Sequence, residues 1–298
     1  MATILKHKVN GKEYNYLSYS YRSGKKILKK EKYLGSKIPD FDDLVEIWED
    51  FSYEIVKERY FPILEKIFDN YKKIIDKTPL EIFLKNLRTF GIRFTHHSNK
   101  IEGSTLSLRE VEAVIDNGIL PHDKPVNDVI ETKAHMKVYE EMINSTEELS
   151  IDLICEWHKE LFQMTKPNIA GFIRDYYVGI SGSNYEPPMT KIEIVHLLDE
   201  LFKWYNKKKD VLNPVFIASI MHYRFIAIHP FGDGNGRMTR LMTNYILYKN
   251  DWPMFDIDPK IRIQYYNALE KADKKEDNEL PFILWFVKIY LKMNKKYQ

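Results

Sequence analysis

Apolar side chains recur at helical spacing through most of the chain from Asp40 onward. This pattern predicts helices over residues 42–71, from Pro79 toward Phe94, and over 127–144, 151–165, 191–206, 214–228, 237–250, 260–273 and 279–297. Ser107 and Glu110 predict a further helix to Asp116, because a serine oxygen and a glutamate three residues later can each accept a free N–H of the first turn. The sequence therefore predicts a mainly α fold.

The first forty residues alternate aromatic and polar positions instead, as strands do. Asn10-Gly11 interrupts the alternation, and this pair takes positive φ readily in a two-residue hairpin turn. A third strand is expected from Lys26 to Leu34. We expect a small basic antiparallel β appendage that serves packing or an oligomer contact. Its tyrosines, interleaved with lysines, would also suit nucleic acid, which is the less favoured interpretation.

A second interruption lies at residues 170–188, where β-forming residues mix with glycines and two prolines. This composition predicts a short β-hairpin that projects from the helical body as a flap. An extended hairpin edge can hold another chain by strand addition. We therefore interpret the flap as functional and not as an ordinary surface loop.

Composition excludes several classes of protein. The 298 residues suffice for one large domain or two modest ones, and a net charge of +2 gives no global reason to expect nucleic-acid binding. Cys155 is the only cysteine, which excludes an intrachain disulfide and a cysteine-rich metal site. Neither a secretory leader nor an apolar run of roughly 18 residues is visible. We expect a cytoplasmic protein with no membrane partner.

The densest chemistry lies in the twelve residues HPFGDGNGRMTR, from His229 to Arg240, which separate two apolar helical runs. Gly234 and Gly236 remove Cβ atoms, so the N–H groups at the start of the second helix can approach a phosphate. Asp233 suits Mg²⁺, which binds through one or two carboxylates plus substrate phosphates. The segment predicts a helix, a tight phosphate-binding loop and a second helix.

Titratable and basic side chains complete this segment. His229 has an ordinary pKa near neutrality and can take a proton from an attacking hydroxyl. Arg237 and Arg240 lie three residues apart on a helix and can hold two phosphates. A plain helix-helix turn with solvated arginines is the alternative. A base, a metal ligand, a phosphate cradle and fixed positive charge together favour a nucleoside triphosphate site.

The segment matches the Fic motif, H-x-F-x-[D/E]-G-N-G-R-x-x-R, at every defined position, and the chain resembles the Fic family over about residues 78–297. Fic proteins mostly transfer AMP from ATP to a Ser, Thr or Tyr hydroxyl of a target protein. The resemblance implies a Fic-type helical bundle in which His229 deprotonates the target hydroxyl. It also implies that Asp233 holds Mg²⁺ and that Arg240 binds the γ-phosphate.

The same resemblance implies a nucleotide-binding set. A glycine-flanked anion hole, an arginine, the flap and two tyrosines on the adenine side would contribute to it. The set comprises Val178, Gly179, Ile180, Ser181, Gly234, Asn235, Gly236, Arg237, Arg240, Tyr265 and Tyr266. Asp273 stands where some relatives have Asn, which is a departure from the pattern on the base side.

A second motif lies upstream. Ser98, Glu102 and Gly103 fit the inhibitory motif [S/T]-x-x-x-E-[G/N] of Fic proteins that have an N-terminal inhibitory helix. A glutamate beside Arg240 would form a charge-assisted pair in the place of the γ-phosphate. The resemblance therefore implies an autoinhibited enzyme with Glu102 as the inhibitory carboxylate.

We expect the β appendage over residues 1–40, the N-terminal helices with the inhibitory helix over 41–115, and the Fic core over 116–298. The favoured function is Mg²⁺- and ATP-dependent AMP transfer onto an unidentified protein and onto the chain itself, and a homo-oligomer is a further expected assembly. Two alternatives stay open. In one, Glu102 activates water to remove AMP from a modified target. In the other, the chain is a non-catalytic regulatory or nucleic-acid-binding module.

Overall fold

Three strands and ten α-helices make up the described part of the computed structural model, which comprises residues 2–23, 26–180, 183, 185–273 and 279–298. The strands are β1 (Ala2–Val9), β2 (Lys12–Ser23) and β3 (Lys26–Gly35). The helices are α1 (Phe41–Ile75), α2 (Leu80–Ile101), α3 (Leu108–Asp116), α4 (Val126–Asn144), α5 (Ile151–Phe162), α6 (Lys191–Lys208), α7 (Pro214–Ile228), α8 (Asn235–Lys249), α9 (Arg262–Asp273) and α10 (Leu280–Met293). The mainly α class is confirmed. Within these ranges, no helix is both long and apolar enough to cross a membrane.

The N-terminal sheet has the predicted hairpin and third strand. β1, β2 and β3 pair antiparallel in that order, and Asn10 and Gly11 both have positive φ (51° and 81°) in the turn. Leu17 and Leu34 are buried. The lysines of β3 make ion pairs with acidic residues of α1: Lys30 with Glu54 at 3.0 Å and with Glu58, and Lys32 with Asp50 at 3.8 Å. Part of the positive charge of the sheet is thus neutralised by the helix beneath it.

Helices α7 and α8 form the centre of the core. Every residue from Val215 to His222 is buried, and so is every residue from Arg237 to Leu247. Helices buried on all sides lie inside a fold and are held rigidly by their neighbours. The loop that joins α7 to α8, residues 229–234, is therefore carried by the most tightly packed pair of helices.

Helix α2 continues to Ile101, beyond the end predicted near Phe94. The residues between these points include two histidines, a serine and an asparagine, which have modest helix propensity. Burial against other elements offsets this modest propensity, since Ser98 is 1% exposed and Asn99 is 4% exposed. The extension carries Ser98 into the interior of the protein.

The predicted β-hairpin over the flap, residues 170–188, is wrong for the part that the structure describes. No strand is assigned to residues 170–180, 183 or 185–188. Arg174 replaces a strand ladder, because its buried guanidinium donates to the carbonyls of His229 (2.8 Å), Tyr176 (2.8 Å) and Pro188 (2.6 Å). Prolines at 187 and 188 supply no N–H to a ladder. The described part of the flap is irregular and is tied to the loop before α8.

One continuous set of buried residues runs from Leu17 in β2 to Tyr290 in α10. The three segments expected from the sequence, 1–40, 41–115 and 116–298, share this core. Their boundaries stay a prediction.

Candidate functional site

The loop between α7 and α8 is closed by Asn235. The asparagine is 2% exposed; its Oδ1 accepts from the N–H of Phe231 at 2.9 Å, and its Nδ2 donates to the carbonyl of Phe231 at 2.8 Å. Phe231 is fully buried. Since both ends of the Asn235 amide are occupied, a contribution of this residue to an anion hole would come from its backbone N–H.

Two glycines permit close approaches at the start of α8. Gly234 has φ of 78°, and a Cβ there would lie 2.4 Å from the ring of Phe162. A Cβ on Gly236 would lie 2.4 Å from Oε1 of Glu102. The missing side chains therefore admit an aromatic ring on one side of the loop and a carboxylate on the other.

A cavity of about 570 Å³ opens beside this loop. The members of the predicted set that line it are Glu102, Val178, Gly179, Ile180, His229, Asp233, Gly234, Asn235, Gly236, Arg240, Tyr265 and Tyr266. Arg237, Ser98 and Gly103 are not among the lining residues in the described part of the chain. Ser181 lies outside the described residues.

Arg240 is held by two residues of the predicted inhibitory motif, Ser98 and Glu102. Its Nε donates to Oγ of Ser98 at 3.0 Å, and its Nη2 donates to the Ser98 carbonyl at 3.0 Å and to Oε1 of Glu102 at 2.7 Å. The side chain is 3% exposed. Its Nη1 is buried and has no hydrogen-bond partner among the described residues. Buried donors are rarely left unpaired, so Nη1 marks a place that suits an anion.

The end of α2 explains the glycine of the inhibitory motif. Glu102 is the last residue before the turn, and Gly103 follows with φ of 103°. The N–H of Gly103 donates to the Lys100 carbonyl at 3.2 Å, and the N–H of Ser104 donates to the Asn99 carbonyl at 3.0 Å. This pair of bonds is the Schellman arrangement, which favours glycine at the residue after the cap. The cap fixes the backbone from which the Glu102 side chain extends toward Arg240.

Asp233 lies in a network of charges. Its Oδ1 accepts from the N–H of Gly234 at 2.5 Å and lies 3.4 Å from Nη2 of Arg237, and its Oδ2 lies 2.7 Å from Nζ of Lys166. Burial alone would raise the pKa of Asp233, but Arg237 and Lys166 hold that pKa below its ordinary value. The carboxylate is therefore ionised at neutral pH, as a metal ligand must be.

Glu131 of α4 was not expected from the sequence. It pairs with Nη1 of Arg237 and accepts from Lys166 at 3.0 Å. Arg237 also lies over the ring of Phe162, 4.6 Å from its centroid. The two arginines of the motif thus contact different helices, Arg237 facing α4 and Arg240 facing α2. No local pattern in the sequence distinguishes Glu131 from the other glutamates of α4.

His229 ends α7 in the left-handed region, with φ of 52°. Its Nδ1 lies 3.3 Å from the carbonyl of Ile226, which can only accept, so Nδ1 carries the proton and Nε2 is left as the basic nitrogen. Burial lowers the pKa of His229 below its ordinary value. The imidazole is therefore neutral, and able to accept a proton, at neutral pH.

Residues 148–247, which include α5 to α7, the loop and all but the last two residues of α8, match the family model described as Fic/DOC. About a third of the chain is thus similar to the Fic/DOC family. It is 31% identical over 186 residues to the protein adenylyltransferase fic-1 of Caenorhabditis elegans, an alignment that covers 60% of this chain and 36% of that protein. It is 29% identical over 224 residues to the protein adenylyltransferase Fic of Nematostella vectensis, an alignment that covers 73% of this chain and 52% of that protein. The chain thus spans between about a third and a half of these curated relatives.

Solved Fic structures have the same fold. A Fic-domain signalling protein from Bacteroides thetaiotaomicron superposes with a TM-score of 0.70 at 24% identity, over 78% of this chain and 94% of that one. Fic-1 from C. elegans superposes with a TM-score of 0.69 at 24% identity, over 87% of this chain and 77% of that one. At this identity the likeness supports the fold alone.

His158 is a second residue of the Fic domain that sequence reasoning missed. It is buried, lies 3.9 Å from the Phe231 ring in a stacked arrangement, and accepts from the N–H of Gly171 at Nδ1 (2.9 Å). Its Nε2 therefore carries the proton and donates to the Asp233 carbonyl at 3.0 Å. This imidazole links the loop between α7 and α8 (residues 229–234, here called the Fic loop) to the start of the flap. In the sequence it is one histidine on an apolar helix, which gives no functional signal.

The two tyrosines that we predict on the adenine side both line the cavity beside the Fic loop, but in different ways. Tyr265 is 1% exposed, and its hydroxyl lies 2.9 Å from Nε2 of His222, whose Nδ1 lies 3.0 Å from Oγ1 of Thr243. Tyr266 is 40% exposed and lies beneath the guanidinium of Arg262 at 5.3 Å. One ring is thus locked into the core, and the other is available to a ligand.

Proposed function

We propose that this Fic-family chain is an autoinhibited protein adenylyltransferase, which moves AMP from ATP onto a Ser, Thr or Tyr hydroxyl of a target protein or of the chain itself. One observation carries the proposal: the Arg240 guanidinium reaches the cavity beside the Fic loop and is paired there with Glu102 at 2.7 Å. The names of the curated relatives, protein adenylyltransferases, support the same activity.

In the proposed reaction, the target hydroxyl oxygen bonds to the α-phosphorus while the bond from that phosphorus to the bridging oxygen breaks. Pyrophosphate leaves with the bonding electrons. The hydroxyl proton passes to Nε2 of His229, which the Ile226 carbonyl leaves unprotonated. The N–H groups at Gly234 to Gly236, at the start of α8, would stabilise charge on the phosphates.

Asp233 is the residue we assign to Mg²⁺. Its carboxylate is 41% exposed, lines the cavity, and is kept ionised by neighbouring cations. Within the described ranges, no three His, Cys, Asp or Glu side chains are grouped to hold a metal. The fit is therefore to an ion held by one carboxylate together with phosphate oxygens, as Mg²⁺ often is. Bound there, the cation would neutralise phosphate charge.

Autoinhibition follows from competition for Arg240. A triphosphate that binds productively would place its γ-phosphate on this guanidinium, where Glu102 already accepts a hydrogen bond. Ser98 and Gly103 support the inhibited state, the first by bonding Arg240 and the second by ending α2 at Glu102. We assign the adenine side to Tyr265 and Tyr266, and a target-clamping role to the flap around residues 178–181.

Mass spectrometry of the Glu102→Gly protein, incubated with Mg²⁺ and each nucleoside triphosphate in turn, tests this function. We expect an added AMP on the chain itself with ATP, and no addition in the double variant that also carries His229→Ala. If the Glu102→Gly protein stays unmodified and also fails to label proteins in a lysate of its host, the proposed function is wrong.

Removal of AMP is a second candidate. The Glu102 side chain is 29% exposed and lines the same cavity as His229, so its carboxylate can also meet water there. The test uses an AMP-modified protein as substrate. Release of AMP by the unaltered chain but not by the Glu102→Gly variant would favour this activity over transfer.

A further inference from the structure

Lys166 contacts Asp233 but belongs neither to the twelve-residue motif nor to the predicted nucleotide-binding set. It lies in the turn after α5, where its N–H donates to the Phe162 carbonyl at 2.7 Å. Its Nζ lies 2.7 Å from Oδ2 of Asp233 and 3.0 Å from Oε1 of Glu131. The ammonium therefore lies against the one carboxylate that we assign to Mg²⁺.

The four charged groups form a closed ring. Lys166 bridges Asp233 and Glu131 on one side, and Arg237 bridges the same two carboxylates on the other. In this arrangement each of the four carboxylate oxygens faces a cation. Oδ2 of Asp233 is thus occupied by Lys166 before any ligand arrives.

A divalent cation and an ammonium group compete for this oxygen. Both need its lone pairs, and two positive groups a few ångström apart repel each other. A cation that binds Asp233 through Oδ2 must therefore displace Lys166. The exchange is local, since the Lys166 side chain is 37% exposed and can rotate without moving the backbone.

Other groups can hold the Lys166 ammonium once it has left Asp233. Glu131 holds it from the other side, and the ring of Phe162 lies 4.7 Å from its Nζ. Oγ1 of Thr165 donates to the same Glu131 oxygen at 3.1 Å. Contact with Glu131 can therefore persist after the contact with Asp233 is broken.

We propose that Lys166 is an internal counter-ion of Asp233 that a divalent cation must displace, so that Lys166 sets the cation affinity of the nucleotide site. The inference rests on the proposed function only in its assignment of a divalent cation to Asp233. Lys166 is a positioning residue: it keeps the carboxylate ionised and aligned, at the cost of weaker cation binding.

The experiment is a titration of the full chain with Mn²⁺ in the presence of ADP, followed by electron paramagnetic resonance of the free ion. ADP has no γ-phosphate to meet Glu102. We expect Lys166→Met, and independently Lys166→Gln, to bind Mn²⁺ about fivefold more tightly than the unaltered chain, because a partly exposed ion pair is worth up to about 1 kcal/mol. Lys133→Met removes the same charge from an exposed position on α4 and should leave the affinity unchanged.

Asp233→Asn should abolish the site in either background. Equal Mn²⁺ affinity in the Lys166 variants and the unaltered chain would overturn the proposal. So would weaker binding in both variants, which would make Lys166 a phosphate ligand. Cation binding that survives Asp233→Asn would place the ion elsewhere and would also remove the metal role from the proposed function. Failure of AMP transfer alone leaves these binding results intact, so the two proposals fail separately.

Discussion

The carboxylate of Glu102 accepts a hydrogen bond from Arg240 at 2.7 Å, across 138 residues of sequence. The same carboxylate oxygen lies against Gly236, where any side chain would collide with it. The end of α2 and the start of α8 therefore meet at one point inside the cavity, and the arginine that we assign to the γ-phosphate is already paired with a carboxylate there.

This pairing predicts graded activation by two substitutions. Glu102→Gly removes both the charge and the carboxylate oxygens, and we expect AMP transfer to rise by about 10- to 100-fold, since a hydrogen bond to a charged group is worth about 1.5–3 kcal/mol. Glu102→Gln keeps a carbonyl oxygen that can accept from Arg240 and should give a smaller rise. Initial rates with labelled ATP measure both, and equal rates in all three proteins would contradict the competition.

The helix cap at Gly103 predicts activation without any change at Glu102. Gly103 has φ of 103°, and nothing lies within 4 Å of a Cβ built there, so Gly103→Ala costs only backbone strain of about 1 kcal/mol. That strain should loosen the end of α2 and raise AMP transfer several-fold.

Gly118→Ala is the matched control for this cap. Gly118 also has positive φ (65°) and open space around its Cβ position, but it follows α3, away from the inhibitory motif. Urea unfolding should show similar losses of stability for both variants, and AMP transfer should rise for Gly103→Ala alone. A rise in AMP transfer in both variants, or in neither, would show that the cap at Gly103 does not maintain inhibition.

Features that depend on contiguous residues could be predicted from the sequence. Contacts between residues that are far apart in the sequence could not. The capping box at Ser107 and the loop from His229 to Gly234 are local, and the structure has both where the sequence indicates. Glu131 approaches Arg237 from 106 residues away, so its role depends on how α4 packs. The predicted hairpin of the flap is wrong because the buried guanidinium of Arg174 binds backbone carbonyls, in place of the strand ladder that the β-forming residues suggest.

Asn235 is predicted to be needed for the stability of the Fic loop. Asn235→Ala would leave the buried N–H and C=O of Phe231 without partners, at a cost of about 1–3 kcal/mol for each group. We therefore expect a fall of about 2–6 kcal/mol in the free energy of unfolding. AMP transfer should also be lost, because the loop backbone would no longer be held. Chemical unfolding with urea measures the first and labelled ATP the second. A variant of unchanged stability would contradict the structural role.

The protonation of His229 predicts the acid limb of the pH–rate profile. Burial lowers its pKa, so the neutral base persists below the ordinary histidine value of about 6.5, and transfer should fall only when the pH drops through a lower value. Initial rates of the Glu102→Gly protein between pH 5 and 8 give the midpoint, with the His229→Ala double variant as the background. A midpoint above 6.5 would be inconsistent with a desolvated neutral base.

Two fully buried histidines predict that the fold loses stability in acid. Burial lowers the pKa of His135 and His222 well below the ordinary value, so the folded state resists protons that the unfolded chain accepts below about pH 6.5. Their stabilising contribution is complete above that pH and falls below it, by at most about 1.4 kcal/mol per pH unit for each histidine.

His222→Gln separates one histidine from the rest. It should lower stability at pH 7, because the bonds to Thr243 and Tyr265 are disturbed, yet stability should then fall less steeply between pH 6.5 and 5, by about 2 kcal/mol over that interval. The exposed His122→Gln serves as the control and should keep the original slope. Urea unfolding at each pH gives the three slopes, and identical slopes for His222→Gln and the unaltered chain would show that His222 is not held neutral by the fold.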